Sequence, residues 1–84
     1  MQPRSEPDPV LSATVRGLRE AKGMTREGLA HRTGLSVGSL LAIELARSTP
    51  SWTNFRRIAA ALDLSITRLA AAVEAAERSP TRAP

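Results

Sequence analysis

Arginine is the residue of this chain best suited to binding a charged ligand, because its guanidinium group makes charged, paired hydrogen bonds with phosphate. The sequence holds eleven arginines, one lysine and eight acidic residues, which give a net charge of +4. Such a surplus favours a polyanionic partner such as nucleic acid. An ordinary basic surface with no partner is the alternative that composition leaves open. The positions of the arginines must therefore decide between the two.

The groups that enzymes and metal sites need are missing from the sequence. There is no cysteine, and His31 is the only histidine. A lone histidine without cysteines or paired carboxylates does not make a metal site. Nothing resembles a nucleophile–base pair or a glycine-rich phosphate loop. We therefore expect no enzymatic activity, no bound metal and no cofactor.

The length and the ends of the chain indicate one small domain between two tails. A chain of 84 residues allows a single domain. The stretches 1–9 and 78–84 contain five of the six prolines and have no hydrophobic periodicity. We predict disordered tails over 1–9 and 78–84 and a folded domain over 10–77.

Hydropathy gives no indication of a membrane protein. No apolar run approaches the ~18 residues that a membrane span requires. The N-terminus also lacks the basic and then apolar pattern of a signal peptide. We therefore expect a cytoplasmic protein that has no contact with a membrane.

The elements that must position the arginines are helices. Apolar residues recur at helical spacing in five stretches, and none alternates in the manner of a strand. The pattern predicts an all-α fold with helices over about 10–22, 26–33, 37–45, 52–62 and 66–77. Trp52, the first residue of the fourth helix, is expected to support the core rather than to stack on a ligand.

Capping residues mark the ends of these helices. Gly23 and Gly34 stand where a left-handed residue ends the first and second helices. The expected N-caps are hydroxyl residues, namely Thr25, Ser36, Ser51 and Ser65. The second and third helices are short, and the turn Gly34-Leu35-Ser36 joins them. Two short helices joined by such a turn are the signature of a helix-turn-helix.

The sequence resembles the Cro/repressor-type (XRE) helix-turn-helix domains, which have a compact lambda-repressor-like fold. The resemblance covers about 15–69. It is carried by V-R-G-L-R-E-A-K-G-M-T-R-E-G-L-A-H-R-T-G-L-S, then I-E, then P-S-W-T-N-F-R-R-I-A-A-A-L-D-L-S-I-T-R-L. The spacing of these segments follows the family pattern without a gap. No single dipeptide is specific, but the whole register favours the fold.

The resemblance implies roles for residues at matching positions. Arg19 and Glu44 would form an ion pair that ties the first helix to the third. The third helix would be the recognition helix in the major groove of DNA, and such domains bind as two-fold dimers. The implied DNA-binding residues are Arg26, Ser36, Val37, Gly38, Ser39, Leu41, Ala42, Arg47, Thr49 and Asn54. We also expect at least one of Arg56 and Arg57 to face solvent.

The third helix departs from the family on its outward face. At about 100° per residue, Leu40, Ile43 and Glu44 share the inward face. The opposite arc holds Val37, Gly38, Leu41, Ala42 and Leu45, and none of these has a hydrogen-bonding side chain. Base readout by donors and acceptors is therefore poorly supplied, although thymine methyls remain possible contacts. The ridge Val37, Leu41 and Leu45 could instead be covered by a protein partner, by a second copy or by the chain's own tail.

Two functions follow from these patterns. The first is a DNA-binding transcriptional regulator that holds duplex DNA through arginine–phosphate contacts and acts as a homodimer. Its dimer contact is predicted on the alanine-rich fifth helix, at Ala70, Ala71, Ala72, Ala75 and Ala76. The second is a protein–protein interaction module, adaptor or antitoxin-like, that uses the Val37–Leu41–Leu45 ridge on a helix-turn-helix scaffold.

Overall fold

Five helices follow one another along the chain. The computed structural model describes residues 7–78. The helices are α1 (Pro9–Ala21), α2 (Arg26–Thr33), α3 (Val37–Glu44), α4 (Trp52–Ala61) and α5 (Ile66–Arg78). Over the described residues there is no strand. The all-α, five-helix fold predicted from the periodicity is therefore confirmed.

Each helix contributes a fully buried aliphatic side chain to one core. These side chains are Val15, Leu29, Leu40, Ile58 and Leu69, and Leu62, the residue after α4, is buried with them. Helix α2 packs against α3 and α4, α1 packs against α3 and α5, and α4 packs against α5. An isolated helix of eight residues is unstable in water, so α2 and α3 depend on this packing.

The first helix begins one residue earlier than the sequence predicts. Asp8 is its N-cap, and the Asp8 carboxylate accepts hydrogen bonds from the backbone N–H groups of Val10 and Leu11. Pro9 then occupies the first helical position, where the missing N–H of proline costs nothing. The prediction of disorder at Asp8 and Pro9 is wrong, because proline suits the first turn of a helix as well as a tail.

The fifth helix is also longer than the sequence predicts, because α5 ends at Arg78 and not at residue 77. Pro7 lies before the helix, and the other residues of the two predicted tails, 1–6 and 79–84, lie outside the described residues. Helices α3 and α4 each end one residue earlier than predicted, and Leu45 and Leu62 are their C-caps. The N-caps predicted at Thr25, Ser36, Ser51 and Ser65 are confirmed by their hydrogen bonds.

Helices α1, α3 and α4 end in the same hydrogen-bonded turn. After α3, the N–H of Ala46 donates to the Ile43 carbonyl, and the N–H of Arg47 donates to the Ala42 carbonyl. This is the Schellman arrangement, in which the residue after the C-cap takes a left-handed conformation. Glycine fills that position after α1, with a φ of 70° at Gly23. Ala46 has a φ of 59° in the same position after α3, so its Cβ makes this turn strained.

We predict that Ala46→Gly stabilises the protein. A left-handed alanine costs about 1–2 kcal/mol, and the greater freedom of glycine in the unfolded chain offsets part of the gain. The melting temperature should rise by a few degrees. The matched control is Ala71→Gly, inside α5, which should lower stability by about 1 kcal/mol. Thermal unfolding followed by far-UV circular dichroism measures both, and a lower melting temperature for Ala46→Gly would contradict the prediction.

Candidate nucleic-acid interface

A buried carboxylate fixes the position of α3. Both side-chain oxygens of Glu44 accept hydrogen bonds from Arg19, at 2.8 Å from Nε and 3.0 Å from Nη2. Arg26 Nε donates to Glu44 Oε1 at 3.1 Å. The Glu44 side chain is wholly inaccessible to solvent. The ion pair implied by the family resemblance is thus present, with a second arginine added to it.

This cluster, Arg19–Glu44–Arg26, links three helices. Arg19 comes from α1, Arg26 is the first residue of α2, and Glu44 is the last residue of α3. Arg19 Nη1 also donates to the Met24 carbonyl at 2.8 Å, which ties in the loop before α2. The last turn of α3 is held from α1 a second time, because the Ser12 hydroxyl donates to the Ile43 carbonyl.

Arg19 keeps its charge over the range in which proteins are usually handled. Hydrogen bonds to Glu44 raise the pKa of Arg19 above its ordinary value, and burial opposes this effect less strongly. A raised arginine pKa contributes stability that is fully present below the unfolded pKa and is lost only as the pH rises through the folded pKa. Arg19 therefore stays ionised at neutral and acidic pH.

The cluster and the core decide which face of α3 is outward. Leu40, Ile43 and Glu44 are buried, as the helical spacing predicts. Val37 and Leu45 are 40% and 43% exposed. Leu41 and Ala42 are half-buried, and a Cβ added at Gly38 would meet open space. The exposed face of α3 is thus apolar.

Two hydroxyl groups at the N-terminus of α3 are the polar exceptions. The Ser36 side-chain oxygen accepts from the backbone N–H of Ser39 at 3.0 Å, and its proton goes to the Ser39 side-chain oxygen at 2.9 Å. Ser36 is therefore occupied in capping the helix. The hydroxyl proton of Ser39 can still be donated outward, because in this pair Ser39 acts as the acceptor.

The arginines of the helix-turn-helix region differ in how they are used. Between residues 25 and 57 the sequence has five arginines and only Glu27 and Glu44 as acids, so three of the four net positive charges fall there. Arg26 shares Glu44 with Arg19, and Arg32 lies 3.4 Å from Asp63. Within the described part of the chain, Arg47, Arg56 and Arg57 are exposed and take part in no ion pair.

The remaining predicted site residues lie in the loop after α3 and at the start of α4. Thr49 is exposed and Asn54 is half-buried. The Asn54 N–H donates to the Ser51 side-chain oxygen at 3.1 Å, within the N-terminal cap of α4. The structure brings Arg26 against the last turn of α3. Arg47 is connected to the same turn through its backbone hydrogen bond to Ala42.

The sequence-based prediction for Trp52 is also wrong. The prediction places it in support of the core, but its side chain is 63% exposed. Its ring stacks on that of Phe55, with 6.0 Å between ring centroids and 19° between planes. Helical spacing puts Phe55 inside, and Trp52, three residues earlier, lies at the edge of that stripe. The first position of a helix is covered by fewer neighbours than its interior positions.

No helix in the described residues is both long and apolar enough to cross a membrane. Those residues also contain no group of three or more His, Asp or Glu side chains that could hold a metal ion. The candidate site consists of the outward surface of α3 together with the exposed arginines that follow it.

The sequence matches a family model described as a helix-turn-helix domain over residues 10–72. The chain belongs to this helix-turn-helix family. A search of curated proteins gives no match.

Solved structures of regulators resemble the chain along most of its length. The restriction-modification controller protein C.AhdI from Aeromonas hydrophila is 31% identical, with a TM-score of 0.70, over 73% of this chain and 92% of that one. The clp gene regulator ClgR from Corynebacterium glutamicum is 27% identical, with a TM-score of 0.75, over 84% of this chain and 78% of that one. The controller protein C.Esp1396I, at 20% identity, has a TM-score of 0.81 over 87% of this chain and 94% of that one, which supports the fold alone.

We predict that Glu44→Gln destabilises the protein by about 3–5 kcal/mol, because two arginines lose the charge that compensates them at a buried site. Asp63→Asn is the matched control. Asp63 pairs with Lys22 and Arg32, but its side chain is 60% exposed, and such pairs contribute about 1 kcal/mol or less. Residue 63 has a φ of 61°, and asparagine tolerates this left-handed backbone.

Urea unfolding measures both variants. Far-UV circular dichroism is the suitable signal, because the single tryptophan is exposed in the folded state and reports burial poorly. Equal losses of unfolding free energy in the two variants would contradict the role assigned to the Arg19–Glu44–Arg26 cluster.

Proposed function

We propose that this protein is a DNA-binding transcriptional regulator whose helix α3 enters the major groove. The observation that carries the proposal is the position of α3. Its inward side is fixed by the Arg19–Glu44–Arg26 cluster, its outward side is exposed, and the unpaired Arg47 follows directly. A recognition helix needs this combination of a rigid seat and a free face.

The similar regulators support the proposal. C.AhdI and ClgR are named as a controller protein and a gene regulator, at 31% and 27% identity. The two matches cover 73% and 84% of this chain. Control or regulation is the role that the two names share.

The proposed contacts divide into positioning and groove contacts. Phosphate groups would be bound by Arg47, Thr49 and Asn54, with help from Arg56, Arg57 and the backbone donors at the N-terminus of α4. Arg26 would add a phosphate contact while its Nε stays with Glu44. Groove contacts would come from the outward face of α3, at Ser36, Val37, Gly38, Ser39, Leu41 and Ala42.

Affinity in this arrangement rests mainly on phosphate neutralisation, because α3 carries few polar groups. We predict that the protein binds duplex DNA at low salt and that affinity falls steeply as salt rises. Replacing Arg47 by Gln should reduce the slope of log affinity against log salt by about 1, because one phosphate is no longer neutralised. Arg68→Gln, an exposed arginine on α5, should leave the slope unchanged.

Fluorescence anisotropy with a labelled duplex across a salt series is the measurement. Absence of binding by the wild-type protein at low salt would contradict the function. Equal slopes for Arg47→Gln and the wild type would contradict the role of Arg47 alone.

A homodimer, in the cytoplasm, is part of the proposal. Only Leu69 is fully buried among the thirteen residues of α5. The alanines predicted at the dimer contact are exposed, apart from the half-buried Ala72. Small side chains allow two helices to approach closely, so α5 offers a surface for a second copy.

We predict that sedimentation equilibrium detects a dimer at high protein concentration. The double change Ala71→Glu and Ala75→Glu should shift it to monomer, because four carboxylates would face one another. Ala60→Glu, an exposed alanine on α4, is the control and should leave the dimer intact. A wild-type protein that stays monomeric throughout the concentration range would contradict this prediction.

The second candidate function is a protein–protein interaction module, adaptor or antitoxin-like. The exposure of Val37 and Leu45 at the two ends of the ridge favours it. The anisotropy experiment separates the two functions. A module of this kind binds no duplex even at low salt, whereas a regulator does.

A further inference from the structure

The outward face of α3 is almost entirely apolar. Glu44 is the only ionisable side chain of the helix, and it is buried and doubly paired. Ser36 is used in the cap, which leaves Ser39 as the one hydroxyl with a proton to donate. The rest of the exposed face consists of Val37, Gly38 and Leu45, with Leu41 and Ala42 half-buried beside them.

An aliphatic surface of this kind can make favourable contacts with few of the groups on the edge of a base pair. Oxygen and nitrogen atoms dominate the major-groove edges, and the C5-methyl group of thymine is the one apolar exception. Cytosine methylated at C5 carries the same group at the same place. Contact between an aliphatic side chain and such a methyl removes apolar area from water on both sides.

We propose that α3 recognises C5-methyl groups of pyrimidines in the major groove and that Val37 is the main contact. This inference rests on the proposed DNA-binding function and names what that site prefers. Val37 is the first residue of α3, and residues at the N-terminal end of a recognition helix are those that reach base edges. Gly38, the next residue, has no side chain, and the space that a Cβ would occupy there is open. The Val37 methyl groups are therefore not shielded on that side.

The charge around the face favours DNA over an apolar protein partner as the occupant. Three of the four net positive charges of the chain lie between residues 25 and 57, on either side of α3 in the sequence. Arg47 follows Leu45 by two residues and is exposed without an ion pair among the described residues. An apolar strip next to unpaired arginines matches a groove whose floor carries methyl groups and whose walls carry phosphates.

The expected effect is set by the burial of a methyl group. Burying one such carbon corresponds to a factor of about four in affinity. Thymine and uracil differ only by this group, since their hydrogen-bonding edges are the same. Exchange of thymine for uracil therefore removes the proposed contact and leaves phosphate and donor–acceptor contacts in place.

The test uses one labelled mixed-sequence duplex of about 24 base pairs, long enough for two half-sites one turn apart. It is made in three forms: unmodified, with every thymine replaced by uracil, and with uracil together with 5-methylcytosine at every cytosine. Anisotropy at low salt gives the affinity of the wild-type protein for each. We expect the uracil form to bind at least about fourfold more weakly than the unmodified form.

The variant Val37→Ser separates methyl contact from any effect of uracil on the shape of the duplex. Its preference for thymine over uracil should fall toward one, while its affinity for the uracil form stays within about twofold of wild type, since phosphate contacts remain. Val37 is exposed, so the fold does not depend on it. Ala60→Ser, at an exposed position on α4, is the matched control and should keep the full preference.

Each outcome bears on the inference. Recovery of affinity in the 5-methylcytosine form supports recognition of the methyl group on either base, and no recovery supports recognition on thymine alone. Equal affinity for the unmodified and uracil forms overturns the inference and leaves the DNA-binding function standing. A preference that survives in Val37→Ser overturns the role of Val37. Failure to bind any form at low salt contradicts the proposed function and the inference with it.

Discussion

The arrangement of this small protein depends on one carboxylate with no access to solvent. A buried charge is costly unless its partners are close and well directed, and Glu44 has three hydrogen bonds from two arginines on two other helices. The cluster therefore holds α3 against the other helices, whereas side-chain packing alone does this for longer helices. Only Leu40 and Ile43 of α3 are buried with Glu44, which is a small apolar area for an eight-residue helix. The ionic contacts and the Ser12 hydrogen bond hold its last turn, and Val37, Gly38 and Ser39 in its first turn are left exposed.

This division explains the unusual composition of α3. In most surface helices the apolar side is inward and the charged side outward. Here the one charged residue is inward and the outward side is aliphatic, so α3 has no clear apolar stripe. Helical phase still identifies the inward residues, because the positions of Leu40, Ile43 and Glu44 follow from helix geometry together with the turn at Gly34. Periodicity does not reveal the partner of the outward side, which depends on chemistry outside the chain.

The sequence predicts the five helices and their hydroxyl N-caps, because these features are local and each has a recognisable residue type. Prediction fails where a residue type has two uses. Pro9 can belong to a tail or to the first turn of a helix, and the capping carboxylate of Asp8 decides for the helix. Trp52 lies at the margin of the buried stripe of α4, where only the tertiary structure decides exposure. The family resemblance assigns Arg26 to phosphate, and its bond to Glu44 depends on the crossing of α2 and α3. The phosphate and groove contacts themselves stay proposals.

The Arg19–Glu44–Arg26 cluster also separates the residues that set the strength of DNA binding from the residues that set the preference among base pairs. Arg19 and Arg26 share Glu44, so their charges act mainly within the fold, and the fully available charge lies after α3, at Arg47, Arg56 and Arg57. Binding strength should therefore be controlled by the loop and by α4, through salt-sensitive phosphate contacts. Any choice among base pairs should be controlled by α3, through apolar contacts on which salt has little effect. Because the two sets of residues lie on different elements, a change in one set should leave the property of the other nearly intact. A regulator built in this way would draw most of its affinity from phosphate contacts and would distinguish sites by methyl groups rather than by hydrogen bonds.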